Sequence, residues 1–358
     1  MRVGKKTYVP ALKWRQGEYL ALEGLNSELK KSICPLLLVP PIEWDFEEKK
    51  LKKSTHDHIE RFPERLCLKW GLEKTFIHLD NSLYSGKMND GSHPLKFIFE
   101  NLVHKKSKAV PAITLEQVQN HLTDIKNLYE LDILEICIIL KQTDLAKGDV
   151  DKSISSLQKE LGIDNSQIHL LINLENPESF EPYEGFSKAI AIQCKKLKSL
   201  KSYASFSILS TSLKVKEVKK PGGEVRRHEW HLYKHLVIAL ETIRIPSFGD
   251  FTIESPEFIA TDMRLLNPGG KIVYCLENTW LIPKGGSFRA DTSQMKDHCA
   301  FIVNSGFFSG PTFSIGDKRI FETHNGLEGT GNLSVWKKVA VSHHLTLVTK
   351  QIASFHGV

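Results

Sequence analysis

Residues 33–39 (ICPLLLV) form an apolar run, and residues 135–140 (EICIIL) repeat this pattern further along the chain. Strands that are buried on both faces have such continuous apolar sequences, and they occur in parallel sheets covered by helices. Similar short runs recur, so the sequence predicts eight strands. The predicted strands cover residues 8–12, 33–39, 75–79, 109–114, 134–140, 168–174, 203–209 and 248–253.

Amphipathic segments lie between these strands. In residues 150–161, for example, Ile154, Leu157 and Leu161 recur at the spacing of one helix face. Comparable segments cover residues 17–30, 56–70, 94–103, 117–129, 185–197 and 229–243. The alternation of strand and helix predicts an α/β fold, a TIM-like (β/α)8 barrel. An open doubly wound sheet is the alternative, but no Gly-x-Gly-x-x-Gly motif follows the first strand, which disfavours its dinucleotide-binding form.

A glycine-rich region interrupts this alternation at residues 255–333, with short strand-like runs at 271–276 and 312–315. The sequence then predicts one last helix, Leu333–Phe355. We therefore expect barrel strands 1–8 and helices 1–7 in residues 1–254. A lid-like insertion over the barrel mouth would cover residues 255–333, and residues 334–358 would be the closing helix. A small separate β-rich C-terminal domain is the alternative.

Composition limits the possible functions. The 358 residues include 48 Lys and Arg against 42 Asp and Glu, and this net charge of +6 permits an anionic ligand without demanding nucleic acid. The six cysteines form no Cys-x-x-Cys pair, which argues against a zinc site or a disulfide framework. No apolar stretch is long enough to span a membrane, and the N-terminus has no apolar secretion signal. We therefore expect a cytoplasmic protein without a membrane partner.

Charged side chains follow several of the predicted strands, where a barrel carries its binding site. Lys13, Trp14 and Arg15 follow the first strand, and Glu18 opens the next helix. Cations at a barrel mouth can hold phosphate or carboxylate, and carboxylates can bind Mg²⁺ or act as acid and base. The alternative is that these groups form ion pairs that close the rim. The other charged groups after strands are Glu43, Asp45, Asp80, Lys141, Asp144, Glu175 and Glu254.

Other motifs carry weaker signals. His228, His231 and His235 could share one helix face, but a metal-binding role is less expected than an ordinary polar face. No Gly-x-Ser-x-Gly elbow and no Walker A sequence occurs, so the chemistry of those motifs is not expected. The basic segments 195–201 and 214–220 lack interleaved aromatic residues, so a nucleic-acid partner is possible but not favoured.

The opening residues 8–18 (YVPALKWRQGE) resemble the start of the Beta protein family, a group of proteins of phages, prophages and bacterial mobile or defence loci. Further similarities are Pro40-Pro41 with Asp45, Asp80, residues 93–95 (HPL), residues 313–317 (FSIGD), Trp336 and residues 343–346 (HHLT). This resemblance implies a phage- or defence-related context but no particular activity. It adds Asp317, His343 and His344 to the candidate positions.

We predict that the barrel mouth binds a phosphorylated or nucleotide-like anion and hydrolyses a phosphoester through positioning and charge neutralisation. Asp45 and Asp80 would act as general base or Mg²⁺ ligands, and Asp317 would come from the insertion. Apart from a possible Mg²⁺ ion, the sequence identifies no cofactor, and it assigns no residues to a separate metal site. A non-catalytic component of a phage or defence complex, contacting a protein or nucleic acid, is the alternative. The predicted catalytic residues are Glu18, Asp45, Asp80 and Asp317; the predicted ligand-binding residues are Lys13, Trp14, Arg15, Lys141, His343 and His344.

Overall fold

The computed structural model describes residues 2–131, 133–258 and 265–357, and these residues contain one sheet of eight parallel strands. Each strand pairs with the next one along the chain. The strands are β1 (Ala11–Lys13), β2 (Leu36–Val39), β3 (Thr75–Leu79), β4 (Ala109–Thr114), β5 (Ile136–Lys141), β6 (Ile168–Asn173), β7 (Ser205–Leu209) and β8 (Ser247–Gly249).

Two backbone hydrogen bonds join the last strand to the first. The Val9 amide donates to the Phe248 carbonyl at 2.9 Å, and the Ala11 amide donates to the Asp250 carbonyl at 2.8 Å. These bonds bring the two edge strands together, so the sheet curls into a barrel. The prediction of a TIM-like barrel is confirmed, and the open-sheet alternative is wrong.

The side chains that fill the barrel come from alternate positions of each strand, as the two-residue period of a strand requires. On β2, for example, Leu36 and Leu38 point inward, whereas Leu37 belongs to the core between strands and helices. Both faces of the strands are therefore buried. This explains the continuous apolar sequences that predicted them. The inner core includes Val9, Ala11, Cys34, Phe76, Val110, Ala112, Cys137, Ile139, Leu171, Leu209 and Phe251.

Helices surround the barrel, and several predicted helices consist of two shorter ones. The predicted segment 17–30 is divided because Asn26 caps a new helix, its side chain accepting the Leu29 amide at 2.9 Å. The helices are α1 (Gln16–Glu23), α2 (Ser27–Lys31), α3 (Thr55–Ile59), α4 (Phe62–Lys69), α5 (Pro94–His104), α6 (Leu115–Asn120), α7 (Leu122–Tyr129), α8 (Gln142–Lys147), α9 (Val150–Leu161), α10 (Tyr183–Lys195), α11 (His228–Ala239), α12 (Gln294–Asn304), α13 (Ile315–His324) and α14 (Leu333–Phe355).

The region between β8 and α14 contains a small antiparallel sheet beside α12 and α13. Its central strand, Thr279–Ser287, pairs with Gly269–Lys271, with Tyr274–Cys275 and with Gly222–Arg226, which comes from the segment after β7. This sheet and α12–α14 share a separate apolar core. The strand expected at residues 312–315 is wrong, because Ser314 caps α13 by accepting the amides of Gly316 and Asp317. Part of the predicted insertion, residues 259–264, lies outside the described residues.

Helix α14 is fixed to its surroundings by two neighbouring, fully buried histidines. His344 contacts the barrel wall, where its Nε2 lies 2.9 Å from the Asp250 carboxylate, and the Tyr8 hydroxyl donates to the same carboxylate at 2.5 Å. Asp250 can only accept, so Nε2 of His344 carries the proton. Burial lowers the pKa of His344, which keeps the ring neutral near pH 7.

His343 contacts the insertion instead. Its Nδ1 lies 2.9 Å from the Asp317 carboxylate and its Nε2 lies 2.7 Å from the Cys275 carbonyl. Both partners accept hydrogen bonds, so the His343 ring links Asp317 of α13 to the backbone of the small sheet. The Tyr274 hydroxyl also donates to Asp317 at 2.7 Å, and its ring stacks on His343 at 3.9 Å. Asp317 therefore holds α13, the small sheet and α14 together.

We expect Asp317→Ala to lower the free energy of unfolding by roughly 2–6 kcal/mol, because it leaves the buried Tyr274 hydroxyl and Nδ1 of His343 without their acceptor, at about 1–3 kcal/mol each. Urea unfolding followed by circular dichroism measures this loss. Asp297→Ala, on the exposed face of α12, is the matched control and should change stability by less than about 0.5 kcal/mol. An Asp317→Ala protein that unfolds at the wild-type midpoint would contradict this assignment.

Candidate functional site

Lys13 ends β1 and lies at the C-terminal mouth of the barrel, with only 6% of its side chain exposed. Its ammonium group donates to the Glu257 carbonyl, lies 3.8 Å from the Glu254 carboxylate and lies 4.8 Å from the centre of the Phe258 ring. Burial lowers the pKa of Lys13, and the Glu254 carboxylate partly offsets that effect. A cation is thus held at the inner edge of the mouth.

Glu18 lies in the first turn of α1, directly behind Lys13, and is fully buried. Its Oε1 accepts the backbone amide of Lys13 at 3.2 Å, and its Oε2 has no hydrogen-bond partner among the described residues. Burial, together with the nearby Glu254 charge, raises the pKa of Glu18 to about 8. Glu18 therefore holds a proton at neutral pH.

Two more lysines approach from parts of the chain distant from β1. Lys337 of α14 lies 2.5 Å from the Glu254 carboxylate. Helix α1 can approach Lys337 closely because residue 17 is glycine: a Cβ there would lie 2.8 Å from the Lys337 side chain. Burial lowers the pKa of Lys271, and the charges of Lys284 and Lys337 lower it further.

Arg15 completes the group at the exposed rim, where its guanidinium lies 5.9 Å from the centre of the Phe258 ring. We call these six residues the mouth cluster: Lys13, Arg15, Glu18, Glu254, Lys271 and Lys337. Four of them are cations, one is an ion-paired carboxylate and one is a carboxyl group that holds its proton. The mouth cluster therefore has an excess of positive charge at the end of the barrel where ligands bind.

The other residues that the sequence placed at strand ends have local partners. Asp45 accepts the amides of Glu47 and Glu48 and shapes a short hairpin, Trp44–Asp45 with Lys50–Leu51. Asp80 accepts the Ser82 amide and hydroxyl at the end of β3. In the described part of the chain, neither carboxylate contacts a member of the mouth cluster.

Trp14 and Lys141 lie apart from the mouth cluster as well. Trp14 packs between Tyr19 and Phe62, with ring centres 5.4 Å and 5.3 Å away, in the layer between barrel and helices. Lys141 is half exposed at the end of β5, 4.0 Å from Glu175. The roles predicted for these two residues and for Asp45, Asp80, Asp317, His343 and His344 stay predictions. The last three lie in the buried networks around α14.

Three histidines of α11 form a row along one side of the helix, and this row faces an aromatic ring. Tyr183 of α10 lies against His228, His231 and His235, with ring centres 5.6 to 5.9 Å apart, and its hydroxyl is 2.6 Å from His228 Nδ1. Among the described residues, no group of three or more His, Cys, Asp or Glu side chains is arranged to hold a metal ion.

The fold and the mouth cluster define a (β/α)8-barrel protein with a cationic site beside a buried, protonated glutamic acid. Within this class the chain belongs to the Beta protein family, whose model, described as "Beta protein", matches residues 8–350. Comparison with curated proteins gives no match. No helix in the described residues has the length and apolar character that crossing a membrane requires.

We expect the free energy of unfolding to fall as the pH rises from about 4.5 to about 8, because Glu18 takes up its proton near pH 4.5 when unfolded and near pH 8 when folded. The folded state binds more protons than the unfolded state in this window, so higher pH favours unfolding. Denaturant titrations at pH 5, 6.5 and 8 measure the slope.

Glu18→Gln keeps an acceptor for the Lys13 amide but cannot ionise, so its free energy of unfolding should decline less across this window. Glu23→Gln, on the exposed part of the same helix, is the matched control: it loses the ion pair with Lys69, but its pH dependence across this window should follow that of the wild type. Parallel wild-type and Glu18→Gln profiles would show that Glu18 does not titrate abnormally.

Proposed function

We propose that the mouth cluster binds a phosphorylated or nucleotide-like anion. The observation that carries this proposal is the charge balance of the cluster. Glu254 is the only ionised carboxylate among its members, and it is shared by Lys13 and Lys337. Because Glu18 is neutral at pH 7, the described members of the cluster carry more positive than negative charge, which favours an anionic ligand. Desolvated cations attract an anion more strongly than exposed ones do.

The positions of the cations suit a phosphate group. Arg15 at the rim can pair with two phosphate oxygens at once, whereas Lys13 is a compact point charge further inside. Phe258 lies beside both cations and provides an apolar wall. A ligand that entered past Arg15 would therefore place its anionic end near Lys13. It would compete with Glu254 for the Lys13 ammonium group.

We propose further that the reaction is hydrolysis of a phosphoester, with Glu18 as the proton donor once ligand binding opens its buried Oε2 to the mouth. Water forms the new bond to phosphorus, the bond from phosphorus to the ester oxygen breaks, and the Glu18 proton passes to that leaving oxygen. A proton from the attacking water then restores Glu18. Asp80 directly follows β3, two strands and roughly 10 Å from β1, so a long substrate could also contact Asp80 or a Mg²⁺ ion bound there.

Inorganic phosphate should raise the melting temperature of the protein, because a ligand that binds only the native state stabilises it. We expect Lys337→Ala to weaken phosphate binding at least about tenfold, equivalent to roughly 1.4 kcal/mol. Thermal shift against phosphate concentration measures this at low ionic strength. Lys338→Ala, the neighbouring lysine outside the mouth cluster, should bind as the wild type does. Equal binding by both variants would place the phosphate site elsewhere.

The proposed reaction predicts that the wild-type protein releases inorganic phosphate from members of a panel of nucleoside monophosphates and sugar phosphates. Glu18→Gln should reduce kcat roughly 10²- to 10⁴-fold and leave phosphate binding unchanged, because it removes the proton but little of the charge. A colorimetric phosphate assay across pH 5 to 9 measures kcat, and thermal shift against phosphate concentration measures binding. If the wild type binds phosphate but hydrolyses no member of the panel, the catalytic proposal fails and anion binding remains.

A non-catalytic binding role is the second proposal, and one observation favours it. The hairpin after β2 exposes Trp44, Phe46 and Leu51 by 41%, 42% and 50% of their surfaces. Exposed aromatic side chains of this kind often mark contacts between proteins. In this proposal the protein is a component of a phage-related or defence complex, and the mouth cluster serves recognition rather than catalysis.

A further inference from the structure

A cavity of about 560 Å³ lies at the C-terminal face of the barrel, between the segments that follow β6 and β7. One wall consists of residues 176–181, after β6. The opposite wall consists of residues 214–220 and part of the strand Gly222–Arg226, after β7. No member of the mouth cluster lines this cavity in the described part of the chain, so it is separate from the site proposed above.

The strand Gly222–Arg226 is an edge strand of the small sheet. It pairs with Thr279–Ser287 on one side, and its other side faces the cavity. The Lys284 amide donates to the Pro221 carbonyl, and the Arg227 amide donates to the Asn278 carbonyl. Hydrogen-bonded pairs alternate along an antiparallel ladder, so Gly223 and Val225 also point their backbone groups toward Thr279–Ser287.

The same alternation directs the backbone groups of Gly222, Glu224 and Arg226 away from the sheet. Two of these groups are used locally: the Gly222 amide donates to the Lys219 carbonyl, and the Arg226 carbonyl accepts from the Ser212 hydroxyl. The amide and carbonyl of Glu224 have no protein partner among the described residues. They offer one donor and one acceptor at the spacing that a neighbouring strand needs.

The wall next to this edge is held in place before any ligand arrives. The Lys284 ammonium donates to the Val218 carbonyl and, at 3.4 Å, to the Val215 carbonyl. A preformed cavity costs little conformational entropy on binding. A Cβ atom added to Gly223 would meet nothing within 4 Å, so one face of the strand has open space above it.

Charge is distributed unevenly along the edge. Lys219 and Lys220 lie directly before Gly222, at one end of the strand. At the other end the Arg226 guanidinium lies 3.3 Å from the Glu181 carboxylate, so these two charges balance. Glu178, Glu217 and Glu224 also line the cavity, and Glu217 pairs with Lys214. Among the described residues Lys219 and Lys220 take part in no ion pair, so the favourable place for a carboxylate of a bound chain is the Gly222 end of the strand.

We propose that this cavity accepts an extended peptide segment of a partner protein as an additional strand, antiparallel to Gly222–Arg226. An acidic residue or the free carboxyl terminus of the segment lies beside Lys219 and Lys220. The antiparallel direction follows from the charges, because it places the carboxyl end of the segment at the Gly222 end of the strand. Backbone hydrogen bonds supply affinity in this binding mode, and side-chain pockets supply selectivity.

The test uses the whole protein and a library of random heptapeptides with free carboxyl termini. Peptides that the wild type enriches are labelled, and their affinities are measured by fluorescence anisotropy. Glu224→Pro removes the outward-facing amide without removing a bond to Thr279–Ser287, whereas Glu224→Ala removes only the side chain. We expect Glu224→Ala to bind as the wild type does and Glu224→Pro to bind at least tenfold more weakly.

A second measurement leaves the protein unchanged. Alternate N-methylation of an enriched peptide should abolish its binding, because methyl groups block the backbone donors of the added strand. Lys219→Glu together with Lys220→Glu should weaken acidic or free-carboxylate peptides and spare their amidated, neutral versions. The proposal is overturned if the wild type enriches no peptide, if Glu224→Pro binds as tightly as Glu224→Ala, or if methylated peptides still bind.

Discussion

Two adjacent histidines of α14, His343 and His344, point in different directions and attach the helix to two parts of the structure. His344 binds Asp250 beside β8, and His343 binds Asp317 of α13, so α14 is attached to both the barrel and the insertion. Neighbouring helix positions point about 100° apart, which allows one turn of helix to serve both partners. Lys337 lies less than two turns earlier on α14. The attachment of α14 to the barrel and the insertion therefore also fixes the position of Lys337 in the mouth cluster.

The barrel could be predicted from the sequence because its strands are buried on both faces. The predicted bounds of β3 and β4, residues 75–79 and 109–114, agree with the structure. The strand Gly222–Arg226 was not predicted, since Gly222, Gly223 and Glu224 have little preference for strands. It forms because Thr279–Ser287 offers a partner distant in sequence, and such tertiary pairing leaves no local signal.

The same distinction applies to the mouth cluster. Lys13, Arg15 and Glu18 could be grouped from the sequence because they span one strand end and the first turn of the next helix. Lys271 and Lys337 could not, because the insertion and α14 bring them to the mouth through contacts that no local pattern encodes. Asp45 and Asp80 show the opposite error. An aspartate that follows a strand can accept hydrogen bonds from amides of its own turn, and it then has a structural role.

Glu18 and Glu254 show how one mouth can hold two glutamates in different states. Glu254 is 21% exposed, and the ammonium groups of Lys13 and Lys337 balance its charge. Glu18 is fully buried, and the single backbone amide that it accepts does not compensate for the loss of water. The charge of Glu254 raises the pKa of Glu18 further. An anion that drew Lys13 and Lys337 away from Glu254 would leave that carboxylate less neutralised, and the Glu18 proton would be held more firmly. Ligand binding and the protonation of Glu18 are therefore coupled through Glu254.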